Sequence, residues 1–371
     1  MLRILHVIGK MDRASAETMI VNLYRKIDRS EIQFDLMVFT DQKADYDDEI
    51  EELGGVIYHM PSFKGWNYLA LSRQFDCFFA EHTYKIVHGH IGSLAPLYLK
   101  SAKKYGAYTI AHSHATNSTD LIERVIFSML SHPVRYIADY FYACSKQAGI
   151  DRFGEKVVKS GSFSILNNGI DASAYRYSQE RHDELKEKFH LKNKTIYGHV
   201  GRFVPEKNHI FLMDVFTEIQ KKDPSAVLVM AGRGPEEGKI REISKKRQIE
   251  EKVLFLGIRN DVPDLMNLFD CFVFPSKHEG LGIVGIEAQA AGLPTFVADT
   301  IPEEAIITDH CWNLSLDKSC TEWACFIGDM MSRYTRKDSF DQIVESGYDI
   351  SNSALQLQRF YKKHERQGGK L

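Results

Sequence analysis

The segment Ser276-Lys277-His278-Glu279-Gly280-Leu281-Gly282-Ile283-Val284-Gly285-Ile286-Glu287-Ala288 lies between two short apolar runs, residues 271–275 and 294–298. Runs of that length and character read as buried parallel strands, so the segment is a strand–loop–helix unit. Its glycines stand where the backbone must turn tightly or approach a ligand. Glu279 falls in the loop, and Glu287 falls about a turn and a half into the helix. The helix start exposes unpaired N–H groups, which suit a phosphate. Carboxylates flanking such a site fit a ligand with phosphate in the middle and hydroxyls at both ends, as in a nucleotide sugar. A Gly-rich connection with two solvated glutamates is the structural alternative, and the agreement of other segments weighs against it.

At 371 residues the chain has length for two domains with full cores. The 44% hydrophobic and 26% charged fractions are those of an ordinary globular protein, and the net charge of −3 argues against nucleic acid as partner. No apolar stretch reaches membrane-spanning length. The opening Met1-Leu2-Arg3-Ile4-Leu5-His6-Val7-Ile8 is too short for a signal peptide and reads as a first buried strand. Cys77, Cys144, Cys271, Cys311, Cys320 and Cys325 form no C-x-x-C pair, which predicts reduced thiols and a cytoplasmic protein.

Short apolar strands alternate with longer amphipathic stretches throughout. Strands are predicted at residues 4–8, 34–39, 56–60, 86–90, 108–111 and 140–143, then at 196–200, 227–231, 253–256, 272–274 and 295–297. Met19, Ile20, Leu23, Tyr24 and Ile27 make one apolar face at helical spacing. This alternation predicts an α/β protein with two doubly wound parallel sheets. Asn167-Asn168-Gly169 signals a turn, and the polar run 178–194 reads as surface or linker. The expected domains are residues 1–170 and 171–352, with a final helix, 353–371, packing back on the first through Leu355, Leu357, Phe360 and Tyr361. Two such sheets joined by one hinge are expected to bind ligand in a cleft at their C-terminal edges.

Further segments carry chemistry. Gly201 and Arg202 follow a predicted strand and Lys207 precedes a helix, so both cations sit on a loop where they can neutralise a diphosphate leaving group. Surface cations with Glu206 as partner are the alternative. Gly232-Arg233-Gly234-Pro235 reads as close backbone approach to the cleft, since the first strand–helix turn lacks G-x-G-x-x-G. Arg259, on the loop after another strand, is placed to stack on a nucleotide base. His112 and His114 end a strand in the first domain. They are expected to diverge across the backbone, so that at most one faces ligand. A metal site on this pair lacks a matching carboxylate or cysteine cluster.

Together these residues resemble the family 4 retaining glycosyltransferases of GT-B architecture, over nearly the whole chain. The resemblance rests on Gly201-Arg202, Glu206-Lys207-Asn208, Gly232-Arg233-Gly234-Pro235, Asn168-Gly169-Ile170-Asp171, and above all on Glu279-x7-Glu287 followed by Ala288-x-Ala290-x-Gly292-x-Pro294. It implies that Glu279 holds donor-sugar hydroxyls and Glu287 the ribose diol. The Gly280–Leu281–Gly282–Ile283 backbone would hold sugar and phosphate, and Arg202 and Lys207 the diphosphate. His114 would lie beside the transferred sugar, with His112 as fallback. It further implies a UDP-linked donor, retention, no metal or other cofactor, and a bacterial capsule or exopolysaccharide pathway with a glycan or polyprenyl-diphosphate acceptor. Where the family usually carries Gly-Gly-Ala-Glu, this chain has Ala14-Ser15-Ala16-Glu17. If those positions need positive φ or bare backbone against the diphosphate or acceptor, Ala14 and Ser15 cost steric room there, while Glu17 stands. A UDP-sugar epimerase and a non-catalytic partner subunit of the same fold remain as rivals.

The first domain also holds aromatic, apolar stretches at residues 66–69, 75–79, 125–130 and 136–142, with Lys100, Lys103 and Lys104 nearby in sequence. Core packing accounts for most such patterns. The functional alternative is a face that rests on an anionic inner membrane leaflet.

Overall fold

The computed structural model describes residues 1–114 and 129–366. The chain divides into two compact units, one formed by Met1–Gly169 with Tyr348–Leu371 and the other by Ile170–Gly347.

The first unit is built on β1 (Leu2–Val7), β2 (Ile32–Val38), β3 (Ile57–His59), β4 (Ile86–Gly89), β5 (Tyr108–Ser113), β6 (Tyr140–Ala143) and β7 (Phe163–Ile165). They form one sheet in the order β3-β2-β1-β4-β5-β6-β7, with every pair parallel. Side chains alternate between its two faces, as strand geometry requires. Ile4, Phe34, Leu36, Ile86 and Ile110 enter one core, and Leu5, Val7, Met37 and Val87 the other. The helix Ser15–Lys26 covers the first face with Met19, Ile20, Leu23 and Tyr24. The helices Tyr68–Glu81 and Ala95–Lys104 cover the second.

The same first core receives the helix Ile350–His364 through Ile350, Ala354, Leu357 and Tyr361, whereas Leu355 is exposed. Residues 348–352 therefore belong with the first unit, five positions earlier than the boundary expected from sequence, because Ile350 is fully buried there. The Tyr361 hydroxyl meets His88 Nδ1 at 2.6 Å. Gly169 passes so close to this segment that a Cβ on it would lie 2.9 Å from Ile350 Cα, which requires glycine at that turn.

The second unit contains β8 (Thr195–Val200), β9 (Ala226–Ala231), β10 (Val253–Phe255), β11 (Cys271–Phe274), β12 (Thr295–Ala298) and β13 (Cys311–Leu314), ordered β10-β9-β8-β11-β12-β13 and all parallel. The polar run lies at the surface, as expected, and forms a helix there, Gln179–Lys188, capped by Ser178 and burying His182 and Leu185. Arg336 accepts no partner carboxylate among the described residues. Its guanidinium donates to the carbonyls of Met266, Asn267, Phe269 and Ala291 at 2.7–3.2 Å, tying two helix C-termini together. The strands β7 and β13 escape a search for apolar runs. Each lies at a sheet edge and interleaves polar residues, as in Phe163-Ser164-Ile165 and Cys311-Trp312-Asn313-Leu314.

Truncating Tyr361→Ala should destabilise the first unit by ~3–5 kcal/mol, because a fully buried ring is lost from the core and His88 loses its partner. Urea unfolding of the full chain measures this. A loss below ~1 kcal/mol would mean that the last helix contributes little to that core.

Candidate functional site

In the second sheet the chain runs outward from β8 to β10 and then resumes on the other side of β8 with β11. A reversal of this kind sets two strand–helix loops side by side at the C-terminal edge, where doubly wound sheets hold ligands. The loops are residues 201–208 after β8 and residues 275–282 after β11. They are joined by the Lys277 N–H donating to the Glu206 carbonyl at 2.7 Å.

That junction brings Lys207 and Glu279 together. Lys207 Nζ donates to Glu279 Oε1 at 2.5 Å, and both side chains are largely withdrawn from water, at 18% and 11% exposure. The ammonium also lies 5.3 Å from the Phe274 ring centroid. Glu206, the partner that the surface-cation alternative gave these residues, contributes only its backbone to this junction. Arg202 is exposed and makes no ion pair among the described residues, so its charge is available at the same loop.

Glycines knit the neighbouring loops together. Gly232 has φ +141, and a Cβ there would stand 1.9 Å from the Gly201 carbonyl oxygen. A Cβ on Gly234 would stand 2.3 Å from the Phe203 oxygen. The close backbone approach at Gly232 and Gly234 is to the 201–203 loop. Phe203 and Arg233 complete it with an N–H to carbonyl bond of 2.9 Å. The Arg259 guanidinium is held edge-on by both carboxylate oxygens of Asp261, a pairing that fixes its plane and leaves its flat face unengaged by that contact.

Gly282 adopts the left-handed conformation, φ +83, and caps the helix Ile283–Ala290 without any side-chain cap. Gly280 and Gly282 flank the buried Leu281. Glu287 lies on that helix. Burial of its carboxyl pushes its pKa up to about 7, against a Tyr175 hydrogen bond that lowers it.

The remaining predicted residues lie in the first unit. Ala14 has φ −130, and Ser15 is absent from the positive-φ residues, so the departure from Gly-Gly carries no left-handed strain. The Ser15 hydroxyl accepts from the Asn168 amide at 3.3 Å. Burial raises the pKa of the Glu17 carboxyl.

His112 and His114 do not diverge. Residues i and i+2 of a strand share a face, and the two rings are 4.0 Å apart by centroid. They join His6, His88 and His90 in a stack spanning β1, β4 and β5. His6 Nδ1 meets His90 Nε2 at 2.9 Å, and His90 Nδ1 meets His114 Nε2 at 2.7 Å. His88 Nε2 meets His112 Nδ1 at 3.2 Å. Burial holds these imidazoles neutral, with the pKa of His114 pushed down to about 4. The sequence signal for this stack was the repeated H-x-H at His88–His90 and His112–His114, which adjacent parallel strands must bring together.

The model of the "Glycosyl transferases group 1" family matches residues 181–313. EpsF of Bacillus subtilis (strain 168), provisionally named a glycosyltransferase, is 32% identical over 375 residues, covering 97% of this chain and 96% of that protein. The capsular polysaccharide biosynthesis glycosyltransferase CapH of Staphylococcus aureus is 22% identical, covering 97% and 99% respectively. Among solved structures, Anabaena Alr3699/HepE in complex with UDP and glucose superposes with a TM-score of 0.79 at 17% identity, covering 98% of this chain and 100% of that one. The two parallel-sheet Rossmann-like units are those of the GT-B glycosyltransferases, and the chain belongs to the group 1 glycosyltransferase family.

Proposed function

We propose that this glycosyltransferase is a family 4 enzyme that moves a sugar from a UDP-linked donor with retention at the anomeric carbon. The observation that carries this reading is the buried Lys207–Glu279 pair beside the uncommitted Arg202. Glu287 receives the ribose diol and the Gly280–Ile283 backbone the sugar and phosphate. Glu279 receives sugar hydroxyls while orienting Lys207 toward the diphosphate. Arg202 supplies the second positive charge. As the bond from the anomeric carbon to the diphosphate oxygen breaks, the acceptor oxygen bonds to the same face of that carbon. The acceptor proton passes to the departing oxygen. Stabilisation of the growing negative charge by Lys207 and Arg202 is the main protein contribution, and no divalent metal is needed at the diphosphate. His114 lies beside the sugar and presents Nδ1, which has no described hydrogen-bond partner. Ser15 and Glu17 face the acceptor. The UDP preference is supported by HepE, which was solved with UDP and glucose. An exopolysaccharide or capsule pathway is supported by the likeness to EpsF and CapH, and the proposed place of the enzyme in it is the cytoplasmic side.

Lys207→Ala or Arg202→Ala should lower turnover by ~100-fold or more, read as UDP release with donor and acceptor, and EDTA should leave turnover intact. A strict Mg²⁺ or Mn²⁺ requirement, or near-normal turnover in both variants, would overturn the scheme. Release of UDP that does not depend on acceptor would favour the epimerase rival instead, and no UDP release from any donor would favour the partner-subunit rival.

Glu287 also makes a pH prediction. Its carboxyl is raised above the unfolded value, so its contribution to the stability of the free protein is full at low pH and is lost as pH rises through about 7. UDP binding runs the other way, because the ionised carboxylate is the better acceptor for ribose hydroxyls. Calorimetric affinity for UDP should rise between about pH 6 and about pH 8, and Glu287→Gln should flatten the profile. A slope that survives in that variant refutes the assignment.

The acceptor is a polyprenyl-diphosphate-linked glycan, reached by peripheral contact with the inner leaflet. Trp66 and Leu69 are 81% and 74% exposed, unlike Phe75, Phe78 and Phe79, which are core. Lys103 and Lys104 are engaged by Asp139 and Asp76, leaving Lys100 as the exposed cation of that trio without a described partner. Residues 125–128 of the apolar stretch lie outside the described residues. Replacing Trp66 and Leu69 by serine should abolish co-sedimentation with anionic liposomes at low salt. If the parent protein stays in the supernatant at every lipid composition, there is no membrane face.

A further inference from the structure

The geometry points to a transition-metal site of the zinc class, formed by His90, His112 and His114 in the first unit. Each offers one ring nitrogen, and the three nitrogens lie within 4.8 Å of one another. Nitrogens bound to one tetrahedral zinc at ~2.0 Å stand ~3.3 Å apart, so short ring movements close the set.

A second grouping, His6, His88 and His90, is equally compact. Chemistry separates the two. His90 belongs to both groupings and has both ring nitrogens engaged, by His6 and by His114, so in either it must exchange a ring contact for the metal. His88 is likewise engaged on both nitrogens, by the Tyr361 hydroxyl and by His112, which leaves the second grouping only His6 Nε2 open. The first grouping offers two such nitrogens, His112 Nε2 and His114 Nδ1, both buried and without a hydrogen-bond partner among the described residues. Leaving two such nitrogens unmet is costly, and a metal ion would satisfy them. His90, His112 and His114 also line a cavity of about 150 Å³, shared with Ala95, Val134 and Arg152, which leaves room for the fourth ligand of a metal held by three imidazoles.

The donor set fixes the class of ion. Three imidazoles with no carboxylate suit Zn²⁺, Co²⁺, Ni²⁺ or Cu²⁺, and they reject Mg²⁺ and Ca²⁺, which require oxygen ligands. Strand pairing supplies the third ligand that His112 and His114 lack in the sequence, because β4 lies beside β5. The site stands independently of the donor chemistry proposed above. Where that reading also holds, and this clause rests on it, zinc occupies His114 and inhibits transfer until a chelator removes it.

The test uses the metal-stripped full chain, dialysed against Zn²⁺ in the presence of excess Mg²⁺. About one zinc per chain should be retained, with a rise in Tm. X-ray absorption of the zinc-loaded protein should show nitrogen neighbours at ~2.0 Å and no sulfur at ~2.3 Å. His112→Gln and His90→Gln should each abolish retention, and His6→Gln should not. Circular dichroism checks that each variant folds, and the absorption spectrum of the parent protein decides the ligands even if a variant does not. No retained zinc, sulfur in the coordination shell, or loss in His6→Gln with retention in His112→Gln would each overturn the assignment. Binding is read without any measurement of activity, so its failure is distinct from failure of the transferase scheme.

Discussion

Both sheets depend on one topological constraint. In a parallel sheet every strand ends on the same edge, and every strand–helix loop is delivered there. Where the order reverses, two loops distant in sequence become neighbours. In the second unit this reversal between β8 and β11 places Lys207 against Glu279, separated by 72 positions in the chain. In the first unit β1, β4 and β5 are consecutive across the sheet, and His6, His90 and His114 become a hydrogen-bonded line.

The Lys207–Glu279 pair has to be understood together with its surroundings. Two charges largely removed from water bear a desolvation penalty that their attraction only partly offsets. Such a pair is weak evidence for stability and better evidence for a prepared site. Its loop is held rigid from behind by Gly232 and Gly234, whose lack of side chains lets three strand–helix loops touch through their backbones. Fixing an ammonium in place before ligand arrives reduces the reorganisation needed when charge develops. Arg202, by contrast, retains the freedom of an exposed side chain.

The architecture was legible because each buried strand is a continuous apolar run and each covering helix repeats its apolar positions at helical spacing. The Glu279–Glu287 segment was legible for the same reason, since its flanking strands fix where the loop and helix fall. Partnerships across the sheet were not. Nothing in the local sequence distinguishes Glu206 from Glu279 as the partner of Lys207, because strand order decides it. The histidines were misread through the two-residue period of a strand, which keeps His112 and His114 on one face. The polar run at 178–194 was legible as surface, but its helix was not, because that helix buries only His182 and Leu185.

The interrupted first unit has a consequence for biosynthesis. Its sheet is encoded in residues 1–169, yet one covering helix is encoded after residue 347. During translation, residues 170–347 emerge in between, which takes on the order of 10 s or more at ordinary elongation rates. Throughout that interval the second unit, contiguous in sequence, can complete its own core. The nascent first sheet meanwhile has the helix Ser15–Lys26 on that face, with Tyr24 against Phe34, but lacks the Tyr361 ring that meets Phe34 and His88. That apolar furrow is open to chaperones or to other nascent chains, and it closes only once the helix Ile350–His364 has left the ribosome.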